Sequence, residues 1–74
     1  MREQIIHRRN NMEYKVIITS DKTENEYLKN YPDCEIYLVI ENNTTGEVYV
    51  KGFNGQGKEK RLRKYMSWIL SKEE

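Results

Sequence analysis

The chain has 74 residues, of which 36% are hydrophobic and 34% charged, a composition that allows one small core and excludes a second domain. Its 13 Lys and Arg against 12 Asp and Glu leave a formal net charge of +1. This near balance excludes a strong overall attraction to nucleic acid or to an anionic membrane, so an electrostatic partner would need a local patch of charge. We therefore predict one small α+β domain over residues 1–74.

Three features bear on where the protein works. The lone Cys34 cannot form a disulfide within the chain. The longest apolar run, Ile36–Ile40, is far too short to span a bilayer, and Met1–Asn10 lacks the apolar core of a signal peptide. Together they predict a protein of a reducing compartment, the cytoplasm, with no membrane partner.

The first half of the chain predicts one strand between two less regular segments. Arg2–Arg9 could form about two helical turns, and residues 1–12 are otherwise expected to be flexible. Glu13–Thr19 alternates apolar and polar side chains, which predicts a half-buried strand with Tyr14 on the buried face. Residues 20–33 are polar and predict a long loop, in which Thr23 can cap one helical turn.

The second half predicts a hairpin followed by a helix. Cys34–Glu41 alternates as a strand does, and Asn42–Gly46 supplies residues that tolerate a left-handed backbone and so close a hairpin. In the returning strand we place Val48 and Val50 on the inner face. The residues placed on its outer face are Tyr49, Lys51 and Phe53.

Lys58–Lys72 contains no Gly or Pro and has an apolar stripe at helical spacing. The stripe consists of Leu62, Tyr65, Met66 and Ile69. The predicted fold is therefore α-β-β-β-α, a three-stranded antiparallel sheet with a short N-terminal helix and an amphipathic C-terminal helix on one sheet face.

The sequence offers no group of residues suited to catalysis. His7 is the only histidine, and Cys34 lies on a strand face expected to be buried, so a Cys-His nucleophile pair is disfavoured. One Cys and one His also fall short of the three or four ligands of a zinc site. We therefore predict a protein that is not an enzyme and that has no catalytic residues, metal or cofactor.

The start of the C-terminal helix is rich in cations. Five cations lie within seven residues there: Lys58, Lys60, Arg61, Arg63 and Lys64. A projection at 100° per residue places Lys60, Arg61, Lys64 and Trp68 away from the apolar stripe. Glycines before a helix and outward-facing cations are typical of a phosphate-binding surface. The alternative interpretation is the solvated side of an amphipathic helix, with Trp68 packed at the rim of the core.

The outer face of the predicted sheet gives a second candidate surface. An aromatic and basic face could stack bases or enter a groove of nucleic acid, unless the 20–33 loop or a second subunit covers it. Its predicted members are Lys15, Ile17, Tyr37, Val39, Tyr49 and Lys51.

A family resemblance rests on two segments. Met12-Glu13-Tyr14-Lys15-Val16 opens the first predicted strand, and Gly55-Gln56-Gly57 precedes Lys60, Arg61 and Lys64. In this order of elements the chain resembles the double-stranded RNA-binding domain, in which a Gly-rich turn leads to cations that grip phosphates across the major groove. The resemblance implies that role for Lys60, Arg61 and Lys64. The sheet and helix are also similar to the arm-binding domains of tyrosine integrases, which insert the sheet into the DNA major groove.

Two functions remain open at this point. The first is a nucleic-acid-binding module for duplex RNA or DNA that uses the basic turns of the C-terminal helix. The second is a protein interaction module, a small inhibitor or adaptor, that uses the tyrosine-rich outer sheet face or pairs an edge strand with a partner. The oligomeric state is open in both.

Overall fold

A computed structural model describes residues 2–72 and shows an antiparallel sheet with a helix on one face. The sheet has four strands, joined to their neighbours in chain order. The elements are β1 (Arg2–Arg9), β2 (Met12–Thr19), β3 (Ile36–Asn42), β4 (Val48–Phe53) and α1 (Lys58–Ser71). The α+β class, the antiparallel sheet and the C-terminal helix are confirmed, whereas the predicted count of three strands is wrong. Residues 1, 73 and 74 of the predicted domain lie outside the described part of the chain.

The predicted N-terminal helix is replaced by strand β1. Side chains along this strand are alternately exposed and half-buried, which is the period of a strand. Asn10 and Asn11 have φ angles of 50° and 64°, so a two-residue turn of left-handed residues joins β1 to β2. Ile5 then lies opposite Val16. Arg2–Arg9 has too few apolar residues for its sequence to indicate a strand. Its pairing with β2 therefore decides its conformation.

The predicted hairpin over Asn42–Gly46 is confirmed between β3 and β4. The side-chain Oδ1 of Asn42 accepts hydrogen bonds from the backbone N–H groups of Thr44 (2.9 Å) and Thr45 (3.1 Å). Gly46, at a φ of 86°, donates its N–H to the Asn42 carbonyl at 2.7 Å. The first residue of this short polar turn therefore accepts the hydrogen bonds of the turn's backbone N–H groups. The turn then fixes the position at which β4 starts to pair with β3.

The face assignment of β4 is the opposite of the predicted one. Lys51 lies opposite Leu38 and Tyr49 lies opposite Ile40, so Tyr49 and Lys51 share the helix-covered face of the sheet. Val50 lies opposite Val39 on the other face. The prediction was wrong because a shift of one residue in register moves every side chain of a strand to the other face.

Both faces of the sheet are covered. On the helix side, the buried core consists of Tyr14, Val16, Ile18, Ile36, Leu38, Ile40, Leu62 and Ile69. On the far side it consists of Ile17, Leu28, Tyr37 and Val39. Leu28 is 0% exposed and fixes the 20–33 loop to the sheet. The domain therefore has three layers, which are helix, sheet and loop.

The covering loop contains two short 3-10 turns, Lys22–Glu24 and Glu26–Leu28. They begin at Asp21 and Asn25, whose side chains accept backbone hydrogen bonds, so the predicted capping role of Thr23 is wrong. The physical reason is that Asp21 and Asn25, whose side-chain oxygens cap at least as well as a hydroxyl, directly precede the two turns, whereas Thr23 lies inside the first turn.

Close packing around Gly52 gives a testable prediction. A Cβ atom at Gly52 would overlap Cys34 Sγ and would lie 3.0 Å from Cε2 of Tyr31. Gly52→Ala should therefore lower the free energy of unfolding by about 1–3 kcal/mol, the usual cost of overpacking. Urea unfolding followed by circular dichroism measures it. Cys34→Ala removes Sγ and should recover part of the loss; an equal loss in both backgrounds would contradict the packing argument.

Candidate nucleic-acid interface

Helix α1 begins at a glycine turn and lies across the sheet. Gly57, at a φ of 76°, precedes the helix and provides no side-chain cap. Leu62 and Ile69 are 0% and 1% exposed and anchor the predicted apolar stripe to the sheet, with Tyr65 and Met66 half-buried beside them. No helix in residues 2–72 has the length and apolar character needed to cross a bilayer.

The two flanks of α1 differ. On the side of β1, the Arg63 guanidinium donates to Glu3 at 2.8 Å and lies 3.6 Å from Glu59. The hydrogen bond from Arg63 to Glu3, supported by their opposite charges, raises the pKa of Arg63. Arg63 is therefore committed to holding the helix against β1 and is not a free ligand for an anion.

On the side of β4, aromatic rings and cations form one shallow surface, which we call the aromatic-basic groove. It has a volume of about 380 Å³ and is lined by Phe53, Arg61, Lys64, Tyr65 and Trp68. The Tyr65 ring lies 6.0 Å from the Phe53 ring and 5.8 Å from the Trp68 ring, measured between centroids. Trp68 remains 56% exposed. A row of rings thus leads from the edge strand to an open indole.

Two further lysines border the groove. Lys51 Nζ lies 5.8 Å from the centroid of the Tyr65 ring. Lys72 Nζ lies 4.9 Å from the ring centroids of both Tyr49 and Trp68. Such cation–π contacts hold ammonium groups beside the rings. Within residues 2–72 neither lysine forms an ion pair with a carboxylate, so the positive charge stays available to an anion.

The structure brings together five of the nine predicted site residues. They are Tyr49, Lys51, Arg61, Lys64 and Trp68, which lie in or beside the groove. Lys60 is exposed on the outer side of α1 and Lys58 is half-buried at its start.

The remaining two predicted site residues lie on the opposite face of the sheet. Tyr37 is 2% exposed, and its hydroxyl accepts a hydrogen bond from the backbone N–H of Cys34 at 2.7 Å. Lys15 is half-buried opposite Glu41. The predicted tyrosine-rich outer surface is therefore not formed, because the 20–33 loop covers that face and Tyr49 lies on the other one. That covering was the alternative left open by the sequence.

Sequence reasoning missed Phe53 and Lys72 as members of this surface. Phe53 was placed on the outer face together with Tyr49 and Lys51, so one register error misplaced all three. For Lys72 a signal was present, since it lies four residues after Trp68 and such pairs are neighbours on a helix.

Charge is divided between the two outer layers. Residues 58–72, which include α1, carry six Lys and Arg and one Glu. Residues 20–35, in the loop layer, carry five Asp and Glu and two Lys. The net charge of +1 therefore hides a basic helix layer and an acidic loop layer on opposite sides of the sheet.

The cations of the helix layer differ in whether their side chains already form hydrogen bonds within the protein. Arg61 donates to the backbone carbonyl of Gln56 at 3.1 Å and to that of Asn54, so it holds the turn that leads into α1. Within residues 2–72, the side chains of Lys60 and Lys64 form no hydrogen bond or ion pair. Lys64 lines the groove and Lys60 is exposed one helical turn before it, so both charges are open to an anion.

Because Arg61 donates to two backbone carbonyls, replacing it with lysine should lower the stability of the protein even though the charge is kept. Arg61→Lys should lose one of the two carbonyl contacts, worth about 1 kcal/mol, and so lower the melting temperature by roughly 4–8 °C. Thermal unfolding followed by circular dichroism measures this shift. Lys64→Arg, a change of similar size in the same groove, should leave the melting temperature within about 2 °C. Equal shifts for both variants would show that Arg61 does not hold the turn.

The fold and the groove define a small α+β domain with a basic, aromatic surface on its helix layer. Comparison with protein-family models, with curated proteins and with solved structures finds no match to this chain. Within residues 2–72, no three His, Cys, Asp or Glu side chains lie together so as to hold a metal ion. The groove is therefore the feature on which a functional proposal can rest.

Proposed function

We propose that this protein is a small non-enzymatic nucleic-acid-binding module that binds through the aromatic-basic groove. Lys60 and Lys64 contact backbone phosphates, and Arg61, which lines the groove, adds its charge. The support is the combination, on one side of the molecule, of lysines unpaired within residues 2–72 with the exposed Trp68 ring and the half-buried rings beside it. Phosphate contacts supply most of the affinity for nucleic acid, and rings add contacts with bases.

Trp68 is the observation that carries the proposal. A tryptophan on the solvated side of a helix exposes a large apolar ring to water at a cost, which its contacts with the Tyr65 ring and with Lys72 reduce only in part. Trp68 is 56% exposed and shares the groove with Arg61 and Lys64. Exposed Trp beside cations is typical of a binding surface.

The distribution of charge also favours binding on the helix side of the molecule. An approaching polyanion is attracted by the helix layer and repelled by the acidic loop layer, so it is oriented toward the groove before contact. The duplex RNA version of this function, with Lys60, Arg61 and Lys64 across a major groove, is the one that the resemblance to double-stranded RNA-binding domains implies.

Fluorescence anisotropy tests the proposal. Labelled duplex RNA, duplex DNA and single strands are titrated with the protein at about 50 and about 200 mM salt. We expect binding to at least one of them, weakening with salt in proportion to the number of phosphates contacted. If none binds at tens of micromolar protein, the proposal is wrong and the helix layer is a solvated face.

A protein interaction module is the second candidate function. Its surface would be an edge strand of the sheet, because the 20–33 loop covers the sheet face that the sequence suggested. Each edge strand, β1 and β4, has one side without a neighbouring strand. On β1, Ile6 is 46% exposed on the loop side of the sheet, where it would give an added partner strand an apolar contact. Part of the β4 edge is occupied, because the Gly52 N–H donates to the Tyr31 hydroxyl at 3.2 Å. A protein partner captured by the wild type and lost with Ile6→Lys would favour this candidate.

A further inference from the structure

We infer that the nucleic acid bound in the aromatic-basic groove is a single strand, with an unpaired base stacked on Trp68. This inference rests on the proposed function and names the form of its ligand. Three observations carry it: the open indole, the row of rings that leads to it, and cations on the rim with no carboxylate among the lining residues of the described part of the chain, 2–72.

The first step concerns what can contact Trp68. Its ring is more than half exposed, and the neighbouring Tyr65 ring is tilted by 51° at 5.8 Å, so the pair is not a closed stack. A flat aromatic ligand can complete it. Stacking of a base on an aromatic side chain requires the flat face of that base to be accessible, which is the normal state in a single strand.

The second step concerns a duplex. Base faces inside a double helix are covered by the neighbouring base pairs, and a protein reaches only base edges and the backbone. The rings of Phe53, Tyr65 and Trp68 offer flat apolar surface to a ligand, which a duplex backbone cannot use. A ligand that meets both the rings and the lysines therefore has unpaired bases.

The third step concerns the spacing along the groove. Tyr49, Lys51 and Phe53 alternate along β4 on the helix-covered face, so they extend over about 13 Å at the usual rise of a strand. Lys51 Nζ lies over the Tyr65 ring of the helix, and Lys72 Nζ lies over the Tyr49 ring. Alternation of ring and ammonium group matches the alternation of base and phosphate in an extended strand.

A second copy of this chain is a poorer occupant of the same surface. Two copies packed groove to groove would face Arg61 and Lys64 of one against the same residues of the other. Among residues 2–72, no acidic side chain lines the groove to neutralise them. Like charges brought together at an interface oppose association, whereas a polyanion relieves their repulsion.

The chain contains a single tryptophan, so its own fluorescence reports on the proposed stack. Three probes of equal phosphate number are compared: oligothymidylate, an abasic strand of the same length, and a hairpin duplex. We expect oligothymidylate to quench Trp68 emission and to bind at least about tenfold more tightly than the abasic strand, the effect of one stacked base. Oligouridylate, as the RNA counterpart, should behave in the same way.

Two variants isolate the ring. With labelled strands and anisotropy as the readout, Trp68→Ala should reduce affinity for oligothymidylate to that for the abasic strand, while Trp68→Phe should retain most of it. Tyr27→Ala is the matched control, since Tyr27 is 43% exposed in the loop layer. Circular dichroism should be unchanged in all three variants.

The outcomes separate the two proposals. Equal binding of the abasic strand and oligothymidylate, or tighter binding of the hairpin duplex, with unchanged Trp68 emission would overturn the single-strand inference and leave nucleic-acid binding standing. Failure of every probe to bind the wild-type protein would overturn the proposed function itself.

Discussion

Reversing the charges of Lys60 and Lys64 to glutamate should abolish most of the nucleic-acid binding of this protein while leaving it folded. Both side chains are exposed and unpaired within residues 2–72, so the change removes two phosphate contacts and adds two repulsive charges. We expect affinity to fall at least about tenfold near 0.1 M salt and the slope of log affinity against log salt to shrink by about 2. Anisotropy titrations at several salt concentrations measure both quantities.

The design leaves Arg61 in place because that side chain also holds the turn before α1, and its loss would mix a folding defect with a binding defect. Lys29→Glu is the matched control for each single reversal, since Lys29 is an exposed lysine in the acidic loop layer. Circular dichroism confirms folding. Wild-type affinity in a folded Lys60→Glu/Lys64→Glu variant would place the binding surface elsewhere.

Leu62→Ala should have the largest effect on stability. Leu62 is 0% exposed and joins α1 to the sheet core. Truncating such a buried leucine costs about 2–5 kcal/mol through lost burial and a residual cavity. For a domain of this size, with roughly 4–11 kcal/mol of total stability, the variant should be largely unfolded at elevated temperature.

Chemical unfolding in urea, followed by far-ultraviolet circular dichroism, measures this loss. Leu70→Ala is the matched control, because Leu70 lies on the same helix but is only half-buried, and it should cost clearly less. A loss for Leu62→Ala no larger than that for Leu70→Ala would mean that the helix does not anchor the sheet through Leu62.

The same variants separate stability from binding. Leu62 does not line the aromatic-basic groove, whereas Lys64 does and is exposed. Leu62→Ala should therefore lower affinity only in proportion to the unfolded fraction, and binding should return under conditions that refold it. Lys64→Glu should lower affinity with no change in melting temperature.

Some parts of this protein were determined by the sequence alone, because they depend on local patterns. The hairpin at Asn42–Gly46 follows from turn chemistry, and α1 follows from an unbroken helical stripe that includes Leu62 and Ile69. The cations of α1 were also identifiable, because a helix period sorts residues into faces without knowledge of neighbours. Lys60, Lys64 and Trp68 were accordingly placed on the outward side.

Only the tertiary structure decided the rest, because it depends on pairing between distant segments. Arg2–Arg9 is a strand because β2 offers it hydrogen bonds and Val16 offers Ile5 a partner. The register between β3 and β4 moved Tyr49 and Lys51 to the helix side, and no pattern within β4 distinguishes its two faces. The aromatic-basic groove thus depends on two features: the register of β4, which places Tyr49 and Lys51 on the helix side, and the path of α1, which places Trp68 beside them. Both features are set by contacts between elements and not by the sequence of either element alone.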